Sequence, residues 1–313
     1  MGSHKLRGKS NSAATAKAAG HKSLDTSGHS LSRWLGESRT GQIRDALAKG
    51  GVRMKSAHIG ELKTPHFTAT VTLEADDTVR VRTTHTTVHE DLLTAIESCT
   101  GLRGSARFAT GPHGRLLAAE TRLNGVAHLP ASLKDIRYGF LKLLGKRVRR
   151  AGGEPDEPPS PASAVKAAID EAGWDTDRAL ETDAGWELRP RLSGQTVPVE
   201  LVLDVETVHL RKTIVSPIPD GSAGFALAHQ ALTTNDRLRG CRLAIADDRL
   251  VAECTLRPSL INADWLAHTA ATVAAAARTV EPEFRLLATN PAIVEQYLEM
   301  FVSSDHLPAE TPR

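Results

Sequence analysis

The stretch LRGCRLAIADDRLVAECTL, Leu238 to Leu256, repeats in outline an earlier one, LRGSARFATGPHGRLLAAETRL, Leu102 to Leu123. Leu-Arg-Gly recurs at 102–104 and 238–240. Arg107 aligns with Arg242, Arg115-Leu116 with Arg249-Leu250, and Glu120 and Leu123 with Glu253 and Leu256. The offset drifts from 136 to 133, so only small gaps separate the copies. A duplicated folding unit also copies its flanks in the same order, and the flanks decide whether a unit or only a phrase is repeated.

Each phrase reads as a β-hairpin. With Asp247-Asp248 as a two-residue turn, Arg242 falls opposite Glu253 and Cys241 opposite Cys254. With His113-Gly114 as the matching turn, Arg107 falls opposite Glu120. One face is then apolar, with Leu243, Ile245, Leu250 and Ala252 in one copy and Ala106, Phe108, Leu117 and Ala119 in the other. The Arg/Glu pairs fall on the opposite face, where an exposed cross-strand ion pair sets register and solubility. Cys241 and Cys254 share the apolar face and are expected to be small buried hydrophobes rather than a disulfide or metal pair.

The flanks repeat as well. Ahead of the first phrase, Leu31, Trp34, Leu35, Ile43 and Leu47 lie at loosely helical spacing up to Gly50-Gly51. HFTATVTL then alternates Phe67, Ala69, Val71 and Leu73 on one face, and TVRVRT returns with Val79 and Val81. HEDLLTAIESCTG carries Leu92, Ile96 and Cys99 on one helical stripe and stops at Gly101. After the phrase, SLKDIRYGFLKLLGKRV is helical, with Leu133, Ile136, Phe140 and Leu144 inward. The later copy runs through SAVKAAIDEAG (helix), GWELRPRLSG (strand) and TVPVELVLDVETVHLRKTIV (strand pair, with Pro198 marking an edge or bulge). A helix around Phe225, Ala228 and Leu232 leads to the second phrase, and the helix NADWLAHTAATVAAAARTV, capped by Asn262, closes the unit. NPAIVEQYLEMF adds a last helix with Asn290 as cap and Pro291 in its first turn.

The expected fold class is therefore α+β: two tandem αβββαββα units forming an intrachain pseudo-dimer. A basic disordered tail covers 1–29, the first unit 30–150, and a Pro/Gly-rich linker 151–163. The second unit follows over 164–281, and a C-terminal helix and tail over 282–313.

Composition narrows the function. Of 313 residues 40% are hydrophobic and 24% charged, as in a globular protein, and no run of about 18 apolar residues offers a membrane span. The N-terminus lacks the apolar core of a secretory signal, and three cysteines fit a reducing compartment, so a cytoplasmic location is expected. Residues 1–63 hold 12 Lys/Arg against 4 Asp/Glu, leaving 27 against 33 in the remainder. A basic leader can make weak phosphate contacts, yet only 12 aromatic residues occur in the chain, and Trp34 alone stands among those basic positions. His85 and His89 in HTTVH have i, i+4 spacing but straddle a strand end and a helix start, which does not aim both at one metal. No phosphate loop, HExxH or nucleophile elbow occurs, so no catalytic, cofactor-binding or metal-ligating residue is assigned and no cofactor is expected.

The element order and the two phrases resemble the type III secretion chaperone and YbjN-like fold, including tandem peptide-binding chaperones. The resemblance covers roughly residues 30 to 150 and 161 to 281. It implies a non-enzymatic chaperone that holds an extended or partly unfolded client protein or peptide on sheet edges and in helix-lined grooves, as a monomeric pseudo-dimer or a homodimer. The alternatives are an adaptor or oligomerisation protein that binds a folded partner, and a nucleic-acid-associated protein acting through the tail.

Overall fold

A computed structural model describes residues 39, 41–74, 78–83, 92–102, 105–111, 114–122, 128–146, 160–205 and 207–302. Two compact units divide the chain, Met1–Gln42 and Ile43–Arg313, and nearly all described residues fall in the second. The basic tail, His85, His89 and most of the expected linker lie outside the described residues.

The Ile43–Arg313 unit is mixed α+β and contains two six-stranded antiparallel sheets. The first is built from β1 (Val52–Met54), β2 (Ile59–Lys63), β3 (Thr68–Leu73), β4 (Thr78–Thr83), β5 (Arg107–Gly111) and β6 (Gly114–Arg122). The second uses β7 (Ala179–Thr182), β8 (Gly185–Leu188), β11 (Val199–Leu203), β12 (Val208–Val215), β13 (Arg242–Ala246) and β14 (Arg249–Leu256). A two-stranded ribbon, β9 (Arg191–Leu192) and β10 (Gln195–Thr196), interrupts the second series. With the ribbon set aside, both sheets follow one spatial order: first, second, third, fourth, sixth, fifth strand. Four strands precede the central helix in each half, not the three expected. The additional strands are short, and their alternation is too brief to be read as a period. GWELRPRLSG, taken as one strand, is divided between β8 and β9 because Pro190 has no N–H with which to continue a ladder.

Residues 43–49 belong to the opening helix, α1, and end at the glycine pair, where Gly51 has φ +86°. The helix α2 (Leu92–Glu97) sits between β4 and β5, and α3 (Leu129–Leu143) follows β6. Their counterparts are α5 (Gly221–Arg237), between β12 and β13, and α6 (Ala263–Thr289), which follows β14 through a short 3₁₀ turn, Pro258–Leu260. The helix α4 (Pro161–Glu171) begins inside the expected linker: Ser160 caps it by accepting from Ser163 N at 3.2 Å, and Pro161 supplies a pre-set first-turn φ. The α6 helix runs through Pro282, beyond the predicted end of the second unit at 281, and α7 (Pro291–Phe301) follows the Asn290 cap.

Helix α3 packs on β5 and β6, and α6 on β12 and β14. The two halves are in direct contact. α2 of the first packs on β13 of the second, α5 of the second packs on β5 of the first, and α2 and α5 meet each other. This covers the faces that an isolated hairpin would leave to water. All five residues of β13 are buried, polar Arg242 included.

Candidate binding cleft and the seam between the halves

The hairpin register explains how the repeated arginines are used. Asp247 and Asp248 both have positive φ, 52° and 57°, as a type I′ turn requires, and the ladder pairs Arg242 with Glu253 as their spacing predicts. In the first half Gly111 pairs with Gly114, so Arg107 stands opposite Ala118, not Glu120. Gly114 is a strand residue there; reading it as part of the turn displaced the expected register by two. Counted from the turns, Arg107 and Arg242 still occupy equivalent positions.

Neither arginine is on the surface. Both are fully buried, which corrects the exposed reading of the Arg/Glu faces, and both reach into the opposite half. Arg107 donates from Nε to Asn235 O at 2.6 Å, from Nη2 to Leu238 O at 2.6 Å, and from Nη1 to Ser105 O at 3.0 Å. These first two carbonyls belong to the C-terminal end of α5, where helical carbonyls run out of internal partners and the helix dipole favours a cation. Arg242 donates from Nη2 to Leu102 O at 2.7 Å, to Thr255 Oγ1 at 2.9 Å, and to Glu253. Leu238 and Leu102 are the first residues of the two Leu-Arg-Gly phrases. Each half therefore inserts its arginine against the other half's copy of the same leucine carbonyl.

A second correspondence lies within each half, beside the seam. Leu243 N donates to Asn235 Oδ1 at 2.7 Å, and Asn235 Nδ2 donates back to Leu243 O at 3.1 Å. At the matching place Phe108 N donates to Cys99 Sγ at 3.3 Å. Arg82 of the first half also pairs with Asp236 of the second, and Thr100 donates to Ile245 O across the same boundary.

Glu253 is the carboxylate of this network. Arg211 Nε donates to its Oε2 at 2.7 Å, and Gly101 N, from the first half, donates to its Oε1 at 3.0 Å. Burial alone would raise its pKa, but Arg242 and Arg211 hold it down to about 2. His209 lies alongside, with Nδ1 at 3.2 Å from Thr255 Oγ1 and Nε2 at 3.0 Å from Thr207 Oγ1. Burial lowers its pKa. Burial pushes the Cys99 and Cys254 thiols up to about 11 and 12, which makes those two poor nucleophiles; all three cysteines are buried and none forms a disulfide. Among the described residues no cluster of three His, Cys, Asp or Glu could hold a metal ion, and no helix is long and apolar enough to cross a membrane.

A cleft of about 230 Å³ opens where the halves meet. One wall is α3, with Ser132, Asp135 and Ile136, and the other is α6, with Trp265, Thr269 and Thr272. These helices hold the same place in their respective halves, each following its hairpin. Thr78 of β4, Thr121 of β6, the end of β14 with Leu256 and Arg257, and Arg239 of the second Leu-Arg-Gly phrase also line it. Asp135 is buried in the cleft wall and forms an ion pair with Arg257, tying α3 to the segment that enters α6. Sequence reading missed this cleft because its residues come from places more than a hundred positions apart, and neither Asp135 nor Arg257 belongs to a recognisable motif.

No protein-family model matches the chain, and no curated protein matches it at a significant level.

Proposed function

We propose that the protein is a non-enzymatic, protein-binding chaperone, an intrachain pseudo-dimer of two type III secretion chaperone-like units that holds an extended or partly unfolded client segment. The observation that carries this reading is the cleft at the seam, lined by α3 of one half and α6 of the other. Binding sites concentrate at such junctions because two rigid bodies meet there and leave concave, partly apolar surface. The identical strand order of the two sheets and the reciprocal arginine contacts support the pseudo-dimer. Sheet edges offer a second route. Strands β1 and β7 end their sheets, and an edge exposes backbone N–H and C=O groups to which an extended chain can add.

The test is capture of an unfolded client. The purified full chain, with a photoreactive amino acid at position 272, is mixed with a heat-unfolding reporter protein; suppression of aggregation together with crosslinks from position 272 is the expected result. A chain that neither delays aggregation nor crosslinks would overturn the reading. An adaptor role draws on a different surface, the exposed Leu286, Met300 and Phe301 near the last two helices, and would leave position 272 silent while a folded partner protects those residues.

A further inference from the structure

We infer that the outer face of α3 binds the phosphate backbone of a nucleic-acid duplex without reading its sequence. The cleft lies on the other side of this helix, so the inference is independent of the client-binding reading above.

Helical geometry gathers the cations. At about 100° per residue, Lys134, Arg137 and Lys142 fall within an arc of about 140° on α3, and all three are exposed. Leu133, Ile136, Phe140 and Leu143 fill the opposite, buried arc, where Ser132, Asp135 and Ile136 line the cleft. A Schellman turn adds a fourth cation. Gly145 has φ +65° and donates from its N to Lys142 O at 2.9 Å, and Lys146 N donates to Leu141 O at 2.9 Å, which fixes exposed Lys146 beyond the last turn. From Lys134 to Lys142 the row runs about 12 Å along the axis.

This charge has no counterweight on its own helix. Asp135 is the one Asp or Glu between Leu129 and Lys146, and it is buried and paired with Arg257. Among the described residues none of the four basic side chains forms an ion pair or hydrogen bond. Lys134 and Arg137 are i, i+3 neighbours, a spacing at which like charges repel. The helix dipole favours Lys142 and Lys146 at the C-terminal end, but its effect fades within a turn and gives no reason for Lys134 and Arg137. Nor does the fold require them. At the offset of 133 that relates the ends of the two phrases, Leu133 and Phe140 match Leu266 and Val273, all fully buried. Lys134, Arg137 and Lys142 then match Ala267, Ala270 and Ala275 of α6, so the second half fills the same place without charge.

A row of like charges suits a polyanion. A duplex carries about one negative charge per 1.7 Å of its axis, and cations that neutralise it release condensed counterions, which drives binding. Unpaired bases would need exposed aromatic rings to stack on, and Tyr138, the aromatic residue beside the row, is half-buried. A membrane surface would need large apolar side chains next to the cations, and the exposed ones, Ile59, Leu180, Val205, Leu286, Met300 and Phe301, all lie off α3.

Fluorescence anisotropy of the full chain with a fluorescein-labelled duplex of about 20 base pairs, read across a salt series, tests this. Two duplexes of unrelated sequence should bind alike. A triple variant, Lys134→Ala, Arg137→Ala and Lys142→Ala, gives α3 the residues that α6 carries at those places. It is expected to bind about tenfold more weakly at low salt, with the dependence of log Kd on log salt shallower by about 2 to 3. A control, Lys63→Ala, Lys166→Ala and Arg191→Ala, removes the same charge from exposed sites off α3 and should change binding little. Circular dichroism and thermal melts confirm that both variants fold. A parent chain that does not bind the duplex, or a triple variant that binds it as well as the control does, would overturn the inference. Tighter binding to a poly-glutamate peptide or to phosphatidylserine vesicles than to the duplex would also overturn it, by assigning the face to an acidic chain or a membrane.

Discussion

Arg242 and Glu253 face each other across the β13–β14 ladder with neither side chain exposed to solvent. A buried ion pair needs further hydrogen bonds to offset its desolvation, and here Leu102 O and Thr255 Oγ1 accept from Arg242 while Arg211 and Gly101 N donate to Glu253. Two of those four groups come from the first half, so the pair is a property of the seam and not of the hairpin that contains it.

Removal of either arginine should accordingly destabilise the whole unit. Arg242→Ala leaves Glu253 buried with part of its compensation gone and is expected to cost about 3 to 5 kcal/mol. Arg107→Ala removes charge-assisted bonds to the end of α5 and is expected to cost about 3 kcal/mol. Urea unfolding followed by far-UV circular dichroism reads both. Arg107→Lys should recover only part of the loss, because an ammonium cannot reproduce the fork that spans the Asn235 and Leu238 carbonyls.

Asn235→Ala tests the smaller clamp. Its amide satisfies both backbone groups of Leu243, and truncation strands a buried donor and a buried acceptor at once. The expected cost is about 2 to 4 kcal/mol, against roughly 1 kcal/mol for a typical substitution. Amide exchange at Leu243 should accelerate in the variant while exchange in β8 and β11 changes less.

Gly101→Ala tests the backbone. Gly101 has φ +67°, and a methyl group placed there would come no closer than 3.8 Å to His209, so space is not the obstacle. The left-handed conformation alone should cost about 1 kcal/mol, seen as a lower urea midpoint with an unchanged slope.

Acid should loosen the seam in two stages. His209 is packed among Thr207, Thr255, Asp204, Arg211, Arg242 and Glu253, and burial lowers its pKa. The unfolded chain therefore binds its proton first, and stability falls as pH drops below about 6.5 toward the lowered folded value. Glu253 is depressed to about 2, so its contribution is complete above the unfolded value of about 4.3 and is lost as pH falls from there toward 2. Melting temperature against pH, compared between the parent chain and His209→Gln, should show the upper stage removed and the lower one retained.

The hairpins show which parts of this were readable in the sequence. Asp-Asp is a good type I′ turn, so the register that pairs Arg242 with Glu253 followed from local chemistry. Gly-Pro-His-Gly offered several two-residue windows, and the local signal did not choose among them. Burial of Arg107 and Arg242 was hidden for another reason. Alternation along a strand separates two faces, but only the rest of the molecule decides which face meets water, and here the opposite half covers the polar one. The Asp135–Arg257 pair and the cleft beside it depend on the same long-range packing.

The crossed arginines also set a timetable for synthesis. The Asn235 and Leu238 carbonyls that receive Arg107 lie 128 and 131 residues further along the chain. At about 5 to 20 residues per second, the first half leaves the ribosome on the order of ten seconds before its acceptors exist. During that interval the β5 strand is an open edge carrying an unmatched guanidinium beside Phe108. Contacts of such high sequence separation make folding slow and expose the nascent chain to aggregation until the second half is complete.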